Sequence, residues 1–132
     1  MTSLKADALA AMVAHAREAA PAECCGLLLG RDDSVLEAVR ARNLSGVSTR
    51  FVVDPGDHIG ARRLARGRGL DVIGFYHSHP RSPAVPSETD VAEASYPDHL
   101  YAILSLATDP PDVALFRLAS GNFLQVTFVT VA

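Results

Sequence analysis

Hydrophobic positions recur at two distinct periods along this chain, and the alternation between them lays out its elements. From Lys5 to Ala20 the apolar residues Leu9, Met12, Val13 and Ala16 fall at i, i+3, i+4 and i+7 in an alanine-rich stretch closed by Pro21, which predicts an amphipathic helix. Cys25 to Leu29 is a short apolar run bounded by Gly30. Val35 to Ala41 follows after Arg31-Asp32-Asp33-Ser34, so the two read as a strand hairpin. Phe51-Val52-Val53 predicts a short third strand. Asp54-Pro55-Gly56-Asp57 then supplies an N-cap, a proline at the first helical position and an acid in the first turn, opening a second helix to about Arg66, with Gly67 and Gly69 ending it.

Val72-Ile73-Gly74-Phe75-Tyr76 is apolar at nearly every position, the pattern of a strand covered on both faces. Pro80, Pro83 and Pro86 stiffen the loop beyond it, and Ser87 opens a third helix through about Tyr96. Leu100 to Leu106, Val113 to Leu118 and Phe123 to Val131 predict three closing strands, turned at Asp109-Pro110-Pro111-Asp112 and Ser120-Gly121-Asn122. The expectation is one α/β domain over residues 1–132, a mixed sheet of six or seven strands flanked by about three helices.

Composition narrows the function classes. Twelve Lys and Arg against fifteen Asp and Glu give a formal net charge of −3, which excludes the broad positive field of a nucleic-acid or anionic-membrane binder. No apolar run approaches the roughly 18 residues of a membrane span. The opening Met1-Thr2-Ser3-Leu4-Lys5-Ala6-Asp7 soon meets an acid and lacks a leucine-rich block, so it does not read as a signal peptide, and a cytoplasmic location is expected. The two cysteines, Cys24 and Cys25, are neighbours whose Cα atoms stand about 3.8 Å apart. That is too close for an ordinary disulfide, so two reduced, packed thiols are expected. Arg62, Arg63, Arg66 and Arg68 make the second helix locally basic, a solvated face or a docking patch for an acidic partner. His15 lies off the apolar stripe of the first helix and reads as solvated, and His58 and His99 read as capping or surface residues.

The chemistry concentrates in His77-Ser78-His79-Pro80 and Ser87-Glu88-Thr89-Asp90. Two histidines separated by one residue at a strand end face the same way with Cα atoms about 6.5 to 7 Å apart, so both rings can reach one metal ion. Asp90, in the first turn of the next helix, can swing back as the third ligand. Two histidines and one carboxylate leave a position for water, the catalytic rather than the structural pattern for zinc. Ser87 and Asp90 are also a helix-capping pair, which needs no catalysis to explain it. Metal-assisted hydrolysis further wants a base to move the water's proton, and the chain has five glutamates: Glu18, Glu23, Glu37, Glu88 and Glu93. Glu23, at the junction of helix and buried strand, and Glu93, one turn beyond Asp90, both remain open on position alone.

The combination of Glu23, His77-Ser78-His79-Pro80, Ser87 and Asp90 resembles the JAMM, or MPN+, metalloprotease family: a Glu, then His-Ser-His, seven residues, Ser, two residues, Asp. Every one of those positions matches. Glu23-Cys24-Cys25-Gly26-Leu27-Leu28-Leu29-Gly30 is similar to the family's Glu-x-Cys-Gly-Leu-Leu-x-Gly segment, and the likeness in element order runs from about Leu4 to Leu118. The resemblance implies a JAMM/MPN, cytidine-deaminase-like fold and one zinc ion per chain held by His77, His79 and Asp90. It implies Glu23 as general acid/base and Ser87 as the group steadying the oxyanion. It also implies cleavage of the amide bond after the C-terminal Gly-Gly of a ubiquitin-like protein. With no room for ubiquitin-gripping insertions, the chain looks like compact bacterial members acting on ubiquitin-like sulfur carriers. The alternative is a non-catalytic MPN-type interaction scaffold, which would purify without stoichiometric zinc. A non-heme iron oxygenase fits less well, because its ligand order differs from His-x-His followed by a distant Asp. A homodimer is left open by the sequence.

Overall fold

A computed structural model describes residues 1–132. Its elements run in the order β1 (Thr2–Lys5), α1 (Ala6–Ala19), β2 (Cys25–Arg31), β3 (Ser34–Ala41), α2 (Pro55–Gly67), β4 (Asp71–His79), α3 (Glu88–Glu93), β5 (Leu100–Ser105), β6 (Asp112–Ala119), β7 (Asn122–Val126) and β8 (Phe128–Val131). The strands form one mixed sheet in the order β7-β6-β5-β4-β2-β3-β1-β8. β1 lies parallel to β3 and β8, β4 lies parallel to β5, and the remaining pairs are antiparallel. The two edge strands are consecutive in the chain, separated only by Thr127. The chain passes from one sheet edge to the other at that residue, so the sheet must curl to bring the end of β7 to the start of β8.

Both faces of the central strands are covered, as the apolar runs predict. Side chains alternate along β2, so Cys25, Leu27 and Leu29 join a core with Ala61 and Ala65 of α2. Cys24 and Leu28 join the opposite core with Ala8, Met12 and Ala16 of α1. The two cysteines are unpaired, buried and divided between these cores, as expected of packed thiols. Gly26 permits the tight packing of β2 on its neighbours: a Cβ there would lie 2.2 Å from the Tyr76 ring and 2.4 Å from the Val39 carbonyl oxygen. Capping follows the sequence at α2, where the Asp54 side chain accepts from the Asp57 N–H and Pro55 opens the first turn. Gly69, at φ +69°, turns the chain after the helix.

Several elements differ from the sequence reading. Thr2–Lys5 is a strand whose two inward residues, Thr2 and Leu4, are too few to show a period. The last apolar stretch is two strands, β7 on β6 and β8 on β1, because the chain crosses between sheet edges at Thr127. Phe51-Val52-Val53 is not a strand. Only Val53 forms a bridge, to Asn43, while the Val52 N–H is taken by the Asn43 side chain. The third helix ends at Glu93 rather than near Tyr96, with Ala94 already extended. His15 is half-buried and its Nδ1 lies 2.7 Å from the Tyr76 hydroxyl, so it belongs to the packing of α1 on the sheet. The basic face is reduced as well: Arg68 pairs with Glu37, and Arg62 donates to His58 while covering the Tyr96 ring, leaving Arg63 and Arg66 without ion-pair partners. No helix is long and apolar enough to cross a membrane.

Candidate functional site

β4 carries the site out of the sheet. Its last residues, His77 and His79, alternate with Ser78 and so point the same way, and they are 3% and 4% exposed. Their Nε2 atoms lie 3.2 Å apart. Asp90 Oδ2 stands 3.1 Å from each of them. Three ligands at about 2.0–2.1 Å from a tetrahedral zinc would be spaced about 3.3–3.4 Å apart, so this triangle needs almost no adjustment to hold the ion. His77, His79 and Asp90 are thus brought together as a metal-binding group.

Surrounding contacts fix each ligand. The Nδ1–H of His79 donates to the Pro83 carbonyl at 2.8 Å, which turns Nε2 toward Asp90 as the atom that would ligate a metal. Phe51 stacks on the His77 ring with centroids 4.4 Å apart. Asp90 completes a full capping box with Ser87: its carboxylate accepts the Ser87 N–H at 2.9 Å, and the Ser87 Oγ accepts the Asp90 N–H at 3.0 Å. Capping and metal binding are therefore one arrangement, in which the cap aims Asp90 back at the histidines. Because the Ser87 Oγ accepts, its own proton remains available to donate. Burial works against the Asp90 charge, but hydrogen bonds from His77, His79 and the Ser87 N–H hold its carboxyl well below the usual carboxylate range. Burial pushes His77 down toward its neutral, ligating form. His79 is pushed the same way by burial, but Asp90 and the Pro83 carbonyl raise it above its ordinary value.

Glu23 reaches the site from the residue pair before β2. It is 7% exposed and its Oε1 has no hydrogen-bond partner within the protein. Burial raises its pKa to about 7, with His79 pulling it down and Asp90 pushing it up. A buried carboxylate oxygen with no donor is costly, and a water held by the neighbouring metal group would supply one. Its backbone is clamped to the ligand strand: the Cys24 N–H donates to Ser78 Oγ at 2.8 Å, the Ser78 N–H donates to the Cys24 carbonyl at 3.1 Å, and Asn43 donates to the Glu23 carbonyl at 3.0 Å. Glu93, the other glutamate left open by position, lines the neighbouring cavity and is taken by Arg50.

Two cavities border the metal-binding group. One, of about 390 Å³, is walled by aromatic residues including Phe51, Phe75, Tyr96, Tyr101 and Phe123, with His77 and Asp90 at its side. His58 belongs to this wall, packing edge-on against Phe75 and Tyr96 instead of capping a helix. The other, of about 470 Å³, is polar and contains Glu23, His79 and Ser87. Asn43, Phe51 and the Pro83 carbonyl went unrecognised in the sequence, for they lie in loops without periodicity and act through backbone or ring contacts. Ser78 carried a signal, as the middle residue of His-Ser-His.

Residues 5–119 match the family described as prokaryotic homologs of the JAB domain. The chain belongs to this Prok-JAB family. As a Prok-JAB protein it is 40% identical over 111 residues to a desampylase of Haloferax volcanii, covering 78% of this chain and 79% of the relative. It is 33% identical over 122 residues to the CysO-cysteine peptidase of Mycobacterium tuberculosis, covering 89% and 83%. A solution structure from Desulfitobacterium hafniense superposes with a TM-score of 0.91 at 33% identity, over 99% of this chain and 93% of the other. A JAB1/MPN domain protein from Archaeoglobus fulgidus shares the fold over the whole of both chains, with a TM-score of 0.71 at 21% identity. The expected JAMM/MPN fold is thus the fold of this Prok-JAB domain, and the mixed sheet with three helices agrees with it.

Proposed function

We propose that this Prok-JAB protein is a zinc-dependent peptidase that hydrolyses the amide bond after the C-terminal Gly-Gly of a ubiquitin-like sulfur-carrier protein. The observation that carries the reading is the buried, unpartnered Oε1 of Glu23 beside the His77, His79 and Asp90 ligand triangle. Relatives named as a desampylase and a CysO-cysteine peptidase support the substrate class. His77, His79 and Asp90 hold the zinc, a set without thiolate that leaves a coordination position open. When bound, zinc supplies Lewis acidity, lowering the pKa of water and polarising a carbonyl.

The remaining chemistry belongs to the chain's own groups. Glu23, with a pKa near 7, can hold the proton taken from water and release it to the departing amine at neutral pH. Ser87 presents a hydroxyl proton to the oxygen that becomes negative in the tetrahedral intermediate. The Pro83 carbonyl keeps His79 in its ligating tautomer, and the β4–α3 corner holds Asp90 in place.

Purified protein should contain about one zinc per chain and should release the extension from a ubiquitin-like protein lengthened beyond its Gly-Gly end, with chelation abolishing release. Protein that binds no stoichiometric zinc and cleaves no such substrate would favour the interaction scaffold instead.

A further inference from the structure

The two cavities beside the metal-binding group differ sharply in chemistry, and the difference bears on which amine leaves. This inference rests on the peptidase reading given above. In the polar cavity, apart from Pro21 and Pro80, every lining residue is polar or charged: Glu23, Ser48, Thr49 and Ser82 join His79, Ser87 and Arg81. Glu23, which passes a proton to the departing amine, lies in this cavity.

Arg81 is the only Lys or Arg in that lining, and it makes no ion pair or side-chain hydrogen bond. Other arginines near the site are engaged, Arg50 with Glu93 and Arg42 with Asp54 and Asp57. The backbone around Arg81 is also held firmly. The Ser105 hydroxyl donates to the Ser82 carbonyl at 2.6 Å, His79 donates to the Pro83 carbonyl at 2.8 Å, and Pro80 and Pro83 restrict the chain on either side. A fixed base with an unpaired guanidinium suits recognition of a carboxylate, because the planar fork can bind both of its oxygens.

We propose that the polar cavity seats the leaving group and that Arg81 selects one bearing a free α-carboxylate, a single amino acid joined through its α-amine to the carrier's terminal carboxyl. A lysine joined through its side-chain amine would bring a four-carbon apolar stem into a cavity with no apolar wall beyond two prolines. An α-linked amino acid places its carboxylate one carbon from the departing nitrogen, and Arg81 balances that charge. In the reaction, the hydroxyl of water joins the acyl carbon, the C–N bond breaks, and the water's proton passes through Glu23 to the amine. The products are the carrier's terminal carboxylate and the free amino acid.

The test compares kcat/KM on three substrates built on one ubiquitin-like protein: Gly-Gly-alanine with a free carboxylate, Gly-Gly-alaninamide, and an isopeptide from Gly-Gly to a lysine side chain. Wild type should prefer the free carboxylate over the amide by about tenfold or more, the size of one charge-assisted contact. Arg81→Gln should bring that ratio close to one by slowing the carboxylate substrate, with zinc content unchanged, while Arg81→Lys keeps an intermediate ratio. Equal rates on carboxylate and amide in wild type, equal slowing of both by Arg81→Gln, or preference for the isopeptide would overturn the role of Arg81 while leaving the peptidase intact. Failure to cleave all three would overturn the peptidase reading together with it.

Discussion

The corner between β4 and α3 and the segment leading into β2 face each other across the site, and they treat their polar groups in opposite ways. At the first, the ligand atoms of His77, His79 and Asp90 contact one another, and the supporting Ser87 N–H, Asp90 N–H and Pro83 carbonyl are all hydrogen-bonded. At the second, the Glu23 backbone is tied down by Asn43 and the Cys24–Ser78 pair, yet Oε1 has no partner. A satisfied cluster of donors is built to hold something in fixed geometry. An unsatisfied carboxyl on a fixed backbone carries a cost in stability, and in the function proposed above it is the group that exchanges a proton.

Breaking the satisfied side should have the largest effect. His79→Ala removes one of three ligands, and zinc content measured by atomic spectroscopy should fall from about one per chain to a small fraction, with cleavage lost; full zinc retention would show that the ion sits elsewhere. Ser87→Ala comes next. It removes the cap and the proposed oxyanion donor together, so kcat should fall about 10²-fold with little change in KM, and thermal stability by about 1 kcal/mol. A loss of stability with unchanged kcat would reduce Ser87 to a cap.

The unsatisfied side is sharpened by pH. With the folded pKa of Glu23 raised to about 7, the folded state keeps its proton at a pH where the unfolded chain has already lost it. Stability from this group is therefore complete below about pH 4.5 and declines as pH rises to about 7, by about 2–3 kcal/mol. Metal-free wild type should lose that much more stability between pH 4.5 and 8 than metal-free Glu23→Gln, in denaturant titrations at each pH. Parallel profiles would mean that Glu23 is solvated. Smallest is Asn43→Ala. The Asn43 side chain donates to the Glu23 and Arg50 carbonyls and accepts from the Ser45 and Val52 N–H groups. Its loss should cost about 1–2 kcal/mol and lower kcat by a few fold while zinc stays bound.

The same contrast explains what could be read from the sequence. The β4–α3 corner was legible because its parts are local: a two-residue spacing on a strand, a capping pair one helical turn long, and prolines between them. The β2–β4 core was legible because both faces are buried and the apolar runs are unbroken. Glu23 was legible only through the family motif, for nothing local separates it from Glu93; that distinction appears in space, where Arg50 takes Glu93 and nothing takes Glu23. The false strand at Phe51–Val53 and the missed roles of Asn43 and Phe51 share a cause. Phe51 stacks on His77 and packs against the core beside it, and in sequence such a ring looks like a residue of a sheet strand. The division of Phe123–Val131 between two sheet edges was also hidden, since β8 pairs with β1, more than a hundred residues away in the chain.

The role proposed for Glu23, moving a proton in a site where His77, His79 and Asp90 would hold the zinc, is put to the test by Glu23→Gln. Zinc content and cleavage of a ubiquitin-like protein extended beyond its Gly-Gly end would be measured side by side with wild type. Both proteins should hold one zinc per chain, and kcat should fall about 10²- to 10⁴-fold in the variant. A variant that cleaves at the wild-type rate, or that loses its zinc, would contradict that role.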